Sequence, residues 1–332
     1  MAALRLLLLL LLPIISSSSA AAAAIRCHPE DKKVLLRIKK ALNNPYLLAS
    51  WNPANDADCC DWYCLQCDLT TNRVVELTLF NDNLPGQIPP AVADLPHLRT
   101  LIFRKLPNLT GPIPPAIAKL KNLTMLRLSW TNLSGPVPDF LSTLPKLTFL
   151  DLAFNNLSGS IPPSLANLTN LGGLHLDRNR LTGTIPAAFG RFRGSVPWLY
   201  LSHNQLSGPI PAELGDANFE LLDLSRNQLV GDASMLFRDT ERSAFSIDLS
   251  RNQLEFDFSG AKFPKGLTNL DISHNRIRGN IPAGVTALQL QLFNASYNRL
   301  CGEIPQGGKM QQFDATSYFH NRCLCGPPLA KC

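Results

Sequence analysis

The sequence contains none of the short motifs that would place it in a common enzyme class. No Gly-x-Ser-x-Gly nucleophile elbow, His-Glu-x-x-His zinc motif or phosphate-binding loop occurs in its 332 residues. Three of the six histidines, His175, His203 and His274, fall in repeated segments, which favours a surface column over a metal site. We therefore predict that the chain is not an enzyme and has neither a cofactor nor a metal.

Long hydrophobic runs are also missing beyond the N-terminus. An apolar run covers residues 6–15, is interrupted by Pro13, and lies between Arg5 and a series of small residues. It is too short for a membrane helix and is typical of a signal peptide, which we predict over residues 1–24. No later segment offers the roughly 18 consecutive apolar residues of a membrane span. We expect a soluble extracellular protein.

The sequence has no strong charge of either sign. Its formal net charge is +6, which is mild for 332 residues. Nucleic-acid binding would require a denser basic patch, so we predict no nucleic-acid partner. In a cell wall, a mild positive charge would favour residence on acidic polysaccharide.

Cysteine is missing from the whole middle of the chain. Five of the nine cysteines lie between Cys27 and Cys67, and four lie between Cys301 and Cys332. In an oxidising compartment this distribution predicts two disulfide-stapled ends, with one thiol left over because the total is odd. A redox reading of Cys64-Leu-Gln-Cys67 is disfavoured, because no βαβ pattern surrounds it.

What the sequence does contain is a repeat that runs through residues 73–312. The unit is x-x-Leu-x-Leu-x-x-Asn-x-Leu-x-Gly-x-Ile-Pro, and its glycine slot recurs every 23 to 25 residues in ten copies. This length is that of leucine-rich repeats, in which stacked coils bury a continuous leucine core. We predict an α/β repeat solenoid, a right-handed superhelix with a concave parallel β-sheet.

Within each repeat, the asparagine slot is predicted to bond backbone groups of the neighbouring coil, so that its burial leaves no polar group unpaired. The first three repeats carry Asp82, Pro107 and Thr131 there, and the second has an extra residue near Lys105, so we expect irregularity. Phe256 occupies the glycine slot of the eighth repeat.

The ends of a solenoid expose core and need caps. Residues 25–72 are predicted to form an N-terminal cap with a helix over residues 30–42, whose apolar side contains Val34, Leu35 and Ile38. Residues 301–332 are predicted to form a C-terminal cap that overlaps the last repeat.

Several segments, taken together with the ten-repeat length, resemble the plant polygalacturonase-inhibiting proteins. They include Asp58-Cys-Cys-Asp-Trp-Tyr-Cys, Leu126-Arg-Leu-Ser-Trp-Thr-Asn-Leu-Ser-Gly and Cys301-Gly-Glu-Ile-Pro-Gln-Gly-Gly. The resemblance implies a second sheet beside the concave one, built at the Gly-x-Ile-Pro step. It also implies four disulfides and an unpaired Cys64; the pairs would be Cys27–Cys59, Cys60–Cys67, Cys301–Cys323 and Cys325–Cys332.

By the same resemblance, the concave strands would bind fungal, and some insect, endo-polygalacturonases in plant defence. Pectin (homogalacturonan) is a further candidate partner. The candidate contact residues follow from the outward positions of the repeat. They are Arg127, Trp130, Asp151, Phe154, His175, Trp198, Tyr200, His203, Asp223, Ser225, Asp248 and Asp271.

These candidates admit more than one interpretation. The aspartates would stand one strand apart, about 4.8 Å, either awaiting a cationic partner or neutralised by solvent, Arg226 and Arg251. The aromatic residues are interface anchors or ordinary packing at the strand edge. The arginine and histidine column binds pectate or is solvated rim charge. A glycosidase with paired carboxylates is disfavoured, because an open face has no evident pocket.

Six Asn-x-Ser/Thr sequons are candidate glycosylation sites: Asn108, Asn122, Asn132, Asn156, Asn167 and Asn294.

Taken together with the resemblance, the sequence predicts a secreted inhibitor of endo-polygalacturonases in the cell wall. The alternative is a ligand-binding accessory in developmental or cell-wall signalling.

Overall fold

The computed structural model describes residues 27–56, 58–192, 198–238, 241 and 243–332. The predicted signal peptide and its cleavage point lie outside the described residues.

One α-helix, α1 (Pro29–Ala41), opens the described chain. The side chain of His28 accepts a hydrogen bond from the backbone N–H of Glu30, and Pro29 supplies the fixed φ of a first helical residue. Val34, Leu35 and Ile38 face the core. The predicted helix is confirmed, with each boundary one residue nearer the N-terminus than expected.

The repeat produces a long curved series of strands. They are β1 (Leu65–Cys67), β2 (Val74–Phe80), β3 (Gly86–Gln87), β4 (Thr100–Gly111), β5 (Met125–Pro136), β6 (Phe149–Asp151), β7 (Asn156–Ser160), β8 (Gly173–His175), β9 (Arg180–Thr182), β10 (Trp198–Tyr200), β11 (Ser207–Pro209), β12 (Leu221–Asp223), β13 (Gln228–Gly231), β14 (Ser246–Asp248), β15 (Gln253–Leu254), β16 (Asn269–Asp271), β17 (Arg278–Gly279), β18 (Leu292–Asn294), β19 (Arg299–Glu303) and β20 (Cys323–Cys325).

The concave sheet takes one strand from each coil. Its order is β2-β4-β5-β6-β8-β10-β12-β14-β16-β18, all parallel, and β1 covers the first edge in antiparallel orientation. In every strand the leucine-type side chain points inward; Leu150, Leu174 and Leu199 are adjacent and fully buried. The predicted leucine-rich-repeat solenoid is confirmed.

The second sheet is present but interrupted. Its pieces are β3 with β4, β5-β7-β9, β11-β13-β15 and β17-β19-β20. After β15 the pairing shrinks to a single bridge between Asp257 and Arg278. The other repeats place glycine at this step with positive φ, for example 76° at Gly159, and Phe256 replaces that glycine just before the bridge. The interruption therefore falls in the eighth repeat, where the sequence places Phe256 in the glycine slot.

The convex side is made of short 3-10 helices, most of them preceded by proline. They are Pro90–Asp94, Pro115–Lys119, Asp139–Thr143, Pro163–Asn167, Ala187–Arg191, Ala212–Gly215, Ser234–Phe237 and Ala283–Ala287, and three more lie in the caps, Tyr46–Leu48, Cys59–Asp61 and Ala315–Ser317.

An asparagine ladder joins consecutive coils inside the solenoid. The Asn155 amide donates to the carbonyl oxygens of Leu128 (2.7 Å) and Leu152 (3.0 Å), and its Oδ1 accepts from Leu133 N–H (3.2 Å). Asn179, Asn204, Asn227, Asn252, Asn275 and Asn298 repeat the same pattern. The predicted role of this slot is confirmed, and the irregular start is visible as a register shift between Leu106 and Thr110.

Both caps are covalently closed. The disulfides are Cys27–Cys59, Cys60–Cys67, Cys301–Cys323 and Cys325–Cys332, the pairs that the resemblance implies. Cys64 is the free cysteine among the described residues, and burial, with a further contribution from Asp82, raises the pKa of its thiol to about 11.

The rear cap continues the ladder for one more coil. The Asn321 amide donates to the Ala295 carbonyl (2.9 Å), and its Oδ1 accepts from Leu300 N–H (3.0 Å). Beside it, the buried Tyr318 hydroxyl donates to the Met310 carbonyl (2.6 Å). The cap is therefore an unfinished repeat rather than a separate unit.

Candidate concave binding site

The outward side chains of the concave strands form three parallel lanes. The first, here the acidic lane, is the position between the two inward residues of each strand, and its rear half contains Asp223, Asp248, Asp271 and Asn294. Strand register places each of these beside the next, so the predicted row of carboxylates exists, with neighbours about 4.8 Å apart.

Each aspartate of the acidic lane is held by the backbone two residues later. Ser225 N–H donates to Asp223 Oδ1 (3.0 Å), Ser250 N–H to Asp248 Oδ1 (2.9 Å), and Ser273 N–H to Asp271 Oδ1 (2.8 Å). Burial raises the pKa of Asp248 to about 6, with additions from the neighbouring aspartates, although the Ser250 hydrogen bonds oppose the rise. The backbone hydrogen bonds fix the side-chain rotamers of the three aspartates, which reduces the side-chain entropy lost when a partner binds.

Two predicted contact residues are not available to a partner. Asp151 is 4 % exposed, accepts from Arg127 Nε (2.6 Å) and from Ala153 N–H (3.0 Å), and is covered by that arginine. Ser225 is also 4 % exposed, and its hydroxyl donates to Asp223 Oδ1 (2.7 Å). Their expected role as contact residues is corrected: both are supporting residues, because each satisfies its polar atoms inside the protein.

The second lane, here the serine lane, forms the floor beside the acidic lane. Ser202, Ser225, Ser250, Ser273 and Ser296 are all buried there. Asp177 occupies the same position one coil before Ser202, and burial, followed by the charges of Asp151 and Asp223, raises the pKa of its carboxyl to about 7. Asp177 forms no ion pair with any residue that the structure describes. Asp177 was not predicted to belong to the site, although a carboxylate beside a column of serines is visible in the sequence.

The third lane, here the stacked lane, occupies the turn after each strand. Its residues adopt positive φ in every coil, between 53° and 57° from Trp130 to Tyr297. They are Trp130, Phe154, Arg178, His203, Arg226, Arg251, His274 and Tyr297, and His320 continues the lane in the rear cap. A left-handed residue is uncommon outside glycine, and here it turns one flat side chain per coil out of the sheet.

Contacts within the stacked lane are face to face at both ends. The rings of Trp130 and Phe154 stack at 3.6 Å, and the Arg178 guanidinium lies 4.9 Å from the other side of Phe154. At the far end Tyr297 stacks at 4.2 Å on both His274 and His320. Burial, followed by the nearby arginines, lowers the pKa of His203 and of His274. The lane therefore holds its positive charge on arginine above about pH 6.5.

Arg226 and Arg251 were one suggested source of neutralisation for the aspartates. Neither forms a contact ion pair with the acidic lane; the ion pair seen at the concave face, among the residues described, joins Arg127 and Asp151. Two rows of opposite charge thus run side by side without cancelling through direct contact.

Four predicted aromatic contact residues lie between the third and the sixth coil of the face. Trp130 is 44 % and Trp198 41 % exposed, whereas Phe154 and Tyr200 are half-buried. The Trp198 indole donates to Glu220 (3.0 Å), and Tyr200 packs on His175 with ring centroids 4.4 Å apart. Burial lowers the pKa of His175 and raises that of Tyr200. Both tryptophans are placed to serve as anchors.

Metal ligation is not supported at the one cluster of suitable residues found in the described ranges. Cys27, Asp58 and Cys60 come together in the front cap, but both sulfurs are oxidised in disulfides and offer no thiolate.

Comparison with known proteins shows which protein families this chain matches. The Leucine rich repeat N-terminal domain family matches residues 28–68, and the Leucine Rich Repeat family matches residues 122–144, 146–168, 170–192, 196–217 and 266–288. A polygalacturonase inhibitor of Vitis vinifera is 63 % identical over 307 residues, covering 92 % of this chain and 91 % of that protein. A polygalacturonase inhibitor of Pyrus communis is 64 % identical over 306 residues, 92 % of each chain.

This chain belongs to the polygalacturonase-inhibitor family of leucine-rich-repeat proteins. The resemblance seen in the sequence is thereby confirmed over nearly the whole chain. Among solved structures, a plant ice-binding protein is 53 % identical with a TM-score of 0.90, covering 92 % of this chain and 98 % of that one. In the described residues, no helix has the length and apolarity needed to cross a membrane.

The candidate glycosylation sites of this chain differ in their exposure. Asn108, Asn132 and Asn167 are exposed, and Asn156 is half-exposed. The Asn122 amide donates to the Pro96 carbonyl (3.0 Å). Asn294 lies in the acidic lane with its amide 3.4 Å from Asp271. A glycan on Asn294 would cover the rear of the concave face, so occupancy there is incompatible with a partner at the same place.

Proposed function

We propose that this chain is a secreted inhibitor of endo-polygalacturonases and binds the enzyme through the acidic and stacked lanes of its concave face. The observation that carries the proposal is the adjacent acidic and stacked lanes, which offer rows of opposite charge on one rigid surface. Enzymes that cleave a polyanion hold it with basic side chains. The acidic lane meets such side chains, and Arg178, Arg226 and Arg251 meet acidic groups around them.

Rigidity and aromatic anchors support the same proposal. The lanes are fixed by backbone hydrogen bonds, so a convex enzyme can dock without large rearrangement. Trp130 and Trp198 expose flat apolar surface beside the charges, which is the composition of interface hot spots. The identities of 63 % and 64 % to named inhibitors favour this activity over the ice binding named for a 53 % identical structure.

A cell-wall location and pectin binding complete the proposal. The arginines of the stacked lane recur at coil spacing on an exposed edge, and they carry the charge that a polyuronate requires. Retention on pectin would place the inhibitor where the enzyme acts.

The decisive experiment measures reducing ends released from polygalacturonate by a panel of fungal and insect endo-polygalacturonases, with and without purified protein. We expect slower release for at least one enzyme and no release by the protein alone. Bovine serum albumin at equal concentration controls for nonspecific adsorption. If no enzyme is slowed while a pull-down from plant apoplast recovers a specific partner, the signalling-accessory function replaces this one.

A further inference from the structure

A groove lies at the front end of the stacked lane, outside the charged rows already described. It consists of two adjoining hollows of about 500 Å³ and 450 Å³. The larger is walled by Lys105, Pro107 and Trp130, and the smaller by Tyr46, Ser50 and Tyr63. Asn81 and Asp82 line both, so the two hollows are continuous. Each is within the range of about 300–1,000 Å³ typical of small-ligand sites.

The groove arises from the irregular second coil. Pairing between β4 and β5 shifts between Leu106 and Thr110, where the coil carries its extra residue. Lys105 keeps the positive φ of the stacked lane (54°), and the register is lost only after it, so Pro107 has no partner in β5. The irregularity therefore places residues beside Trp130 that the repeat itself does not provide.

Among the described residues, Trp130 stacks with one other ring only, which leaves its second face without a ring or cation contact. Phe154 covers the other face at 3.6 Å with an interplanar angle of 14°. The Lys105 ammonium does not lie over the indole; it is placed over the ring of Phe80, at 5.6 Å. The uncovered indole face therefore forms an aromatic wall at one end of the groove. At the other end Tyr46 is 93 % and Tyr63 65 % exposed.

Polar groups between these aromatic walls combine donors and acceptors. The Asn81 and Asn83 amides form no side-chain hydrogen bond to another described residue, and Asp82 accepts from Asn83 N–H (2.6 Å) while its second oxygen remains free of such a bond. One carboxylate and one ammonium, Asp82 and Lys105, give the groove no net formal charge. A ligand must present hydroxyl-like groups that both donate and accept, together with apolar faces.

We propose that this groove binds a neutral oligosaccharide. A pyranose ring offers a C–H face to each aromatic wall and hydroxyl groups to the amides, to Asp82 and to Lys105. A uronate chain lacks this match, because its carboxylates would meet Asp82 without an excess of positive charge. The site shares Trp130 with the stacked lane but lies outside the acidic lane and the arginines, and it would attach the protein to neutral cell-wall polysaccharide while those charged residues remain free.

The test is saturation-transfer NMR and calorimetry on the full secreted protein. The probes are cellohexaose, xylohexaose and mannohexaose, with hexagalacturonate as the charged comparison. We expect at least one neutral hexamer to bind, with saturation transferred to its ring C–H protons. Hexagalacturonate binding, which we assign to the arginines of the stacked lane, should not depend on the tyrosines of the groove. Tyr46→Ala with Tyr63→Ala should weaken that binding by about threefold or more per ring.

Tyr297→Ala is the matched control, since it removes an exposed aromatic of the stacked lane far from the groove. It should leave sugar binding unchanged. The proposal is overturned if none of the three neutral hexamers binds, if the double tyrosine variant weakens hexagalacturonate binding as much as that of the best of them, or if the double tyrosine variant binds the best of them like the parent.

Discussion

Replacing Asp248 and Asp223 by asparagine tests the acidic lane directly. Asparagine keeps the Oδ1 acceptor that receives the Ser225 or Ser250 N–H, so the side chain should retain its place and lose only its charge. The protein already contains this arrangement, because Asn294 Oδ1 accepts from Ser296 N–H (3.1 Å) in the same lane. We therefore expect the melting temperature not to fall.

The loss of inhibition can be estimated from the exposure of the lane. Close charge pairs across interfaces couple by about 1.5 kcal/mol at the low end of the measured range, and this half-exposed lane belongs at that end. One contact corresponds to about tenfold in the inhibition constant, so the double variant should lose up to about a hundredfold at low salt. At 1 M salt, where the Debye length is about 3 Å, the parent and the variant should converge.

The pKa of Asp248 adds a second signature. With a value of about 6 in the free protein, its carboxyl is only about a tenth ionised at pH 5 and about nine-tenths at pH 7. Asp248→Asn alone should therefore matter less at pH 5 than at pH 7, provided that the partner contributes a cationic side chain. Inhibition constants measured at both pH values check this expectation.

Glu213→Gln is the matched control for charge removal, because Glu213 is exposed on a convex 3-10 helix. It should inhibit like the parent at all salt concentrations. If the Asp223→Asn, Asp248→Asn variant inhibits a susceptible enzyme as strongly as the parent at low salt, the acidic lane does not contact the enzyme and the electrostatic reasoning fails.

Three further predictions concern stability and chemistry. The folded pKa of Asp177 is about 7, above its unfolded value, so its contribution to stability is fully present below about pH 4 and is lost as pH rises towards 7. Asp177→Ser should abolish this loss of stability, which is on the order of 2–4 kcal/mol. The difference between the free energies of unfolding at pH 4 and at pH 7.5 should therefore be smaller in the variant than in the parent. Replacing Cys301 and Cys323 by alanine should cost about 3 kcal/mol in chemical denaturation, since the bond closes a 22-residue separation, and an unchanged midpoint would show that the cap does not depend on it. Alkylation of unreduced protein should modify Cys64 alone. The reaction should be slow in the native protein, because burial raises the pKa of this thiol to about 11, and fast after unfolding. If mass spectrometry shows no modification in either state, this thiol is blocked.

The fold could be predicted from the sequence because every repeat carries the same sequence pattern. Leucine alternation, the asparagine slot and the Gly-x-Ile-Pro step each correspond to one local structure, and ten copies leave little room for error. The helix at Pro29–Ala41 was predictable for a similar reason, since its cap and apolar face are local features.

The site could be predicted only in part, because side-chain partners depend on the neighbouring coil. Nothing within the fourth repeat shows that Arg127, one coil earlier, covers Asp151. The left-handed turn of the stacked lane was equally hidden, since tryptophan, phenylalanine and arginine rarely adopt positive φ. The row of aspartates in the acidic lane could be predicted, by contrast, because it depends only on strand register, which follows from the repeat.

The rear cap has a consequence for the length of the molecule. Asn321 receives the last coil through the same bonds that join coils in the interior, so the cap does not distinguish which repeat precedes it. With nearest-neighbour contacts of this kind, a repeat inserted or deleted in the middle would leave both ends intact. Each such change would lengthen or shorten all three lanes by one residue, about 4.8 Å of binding surface. The recognition surface can therefore be resized in whole coils, separately from the chemistry that any one coil presents.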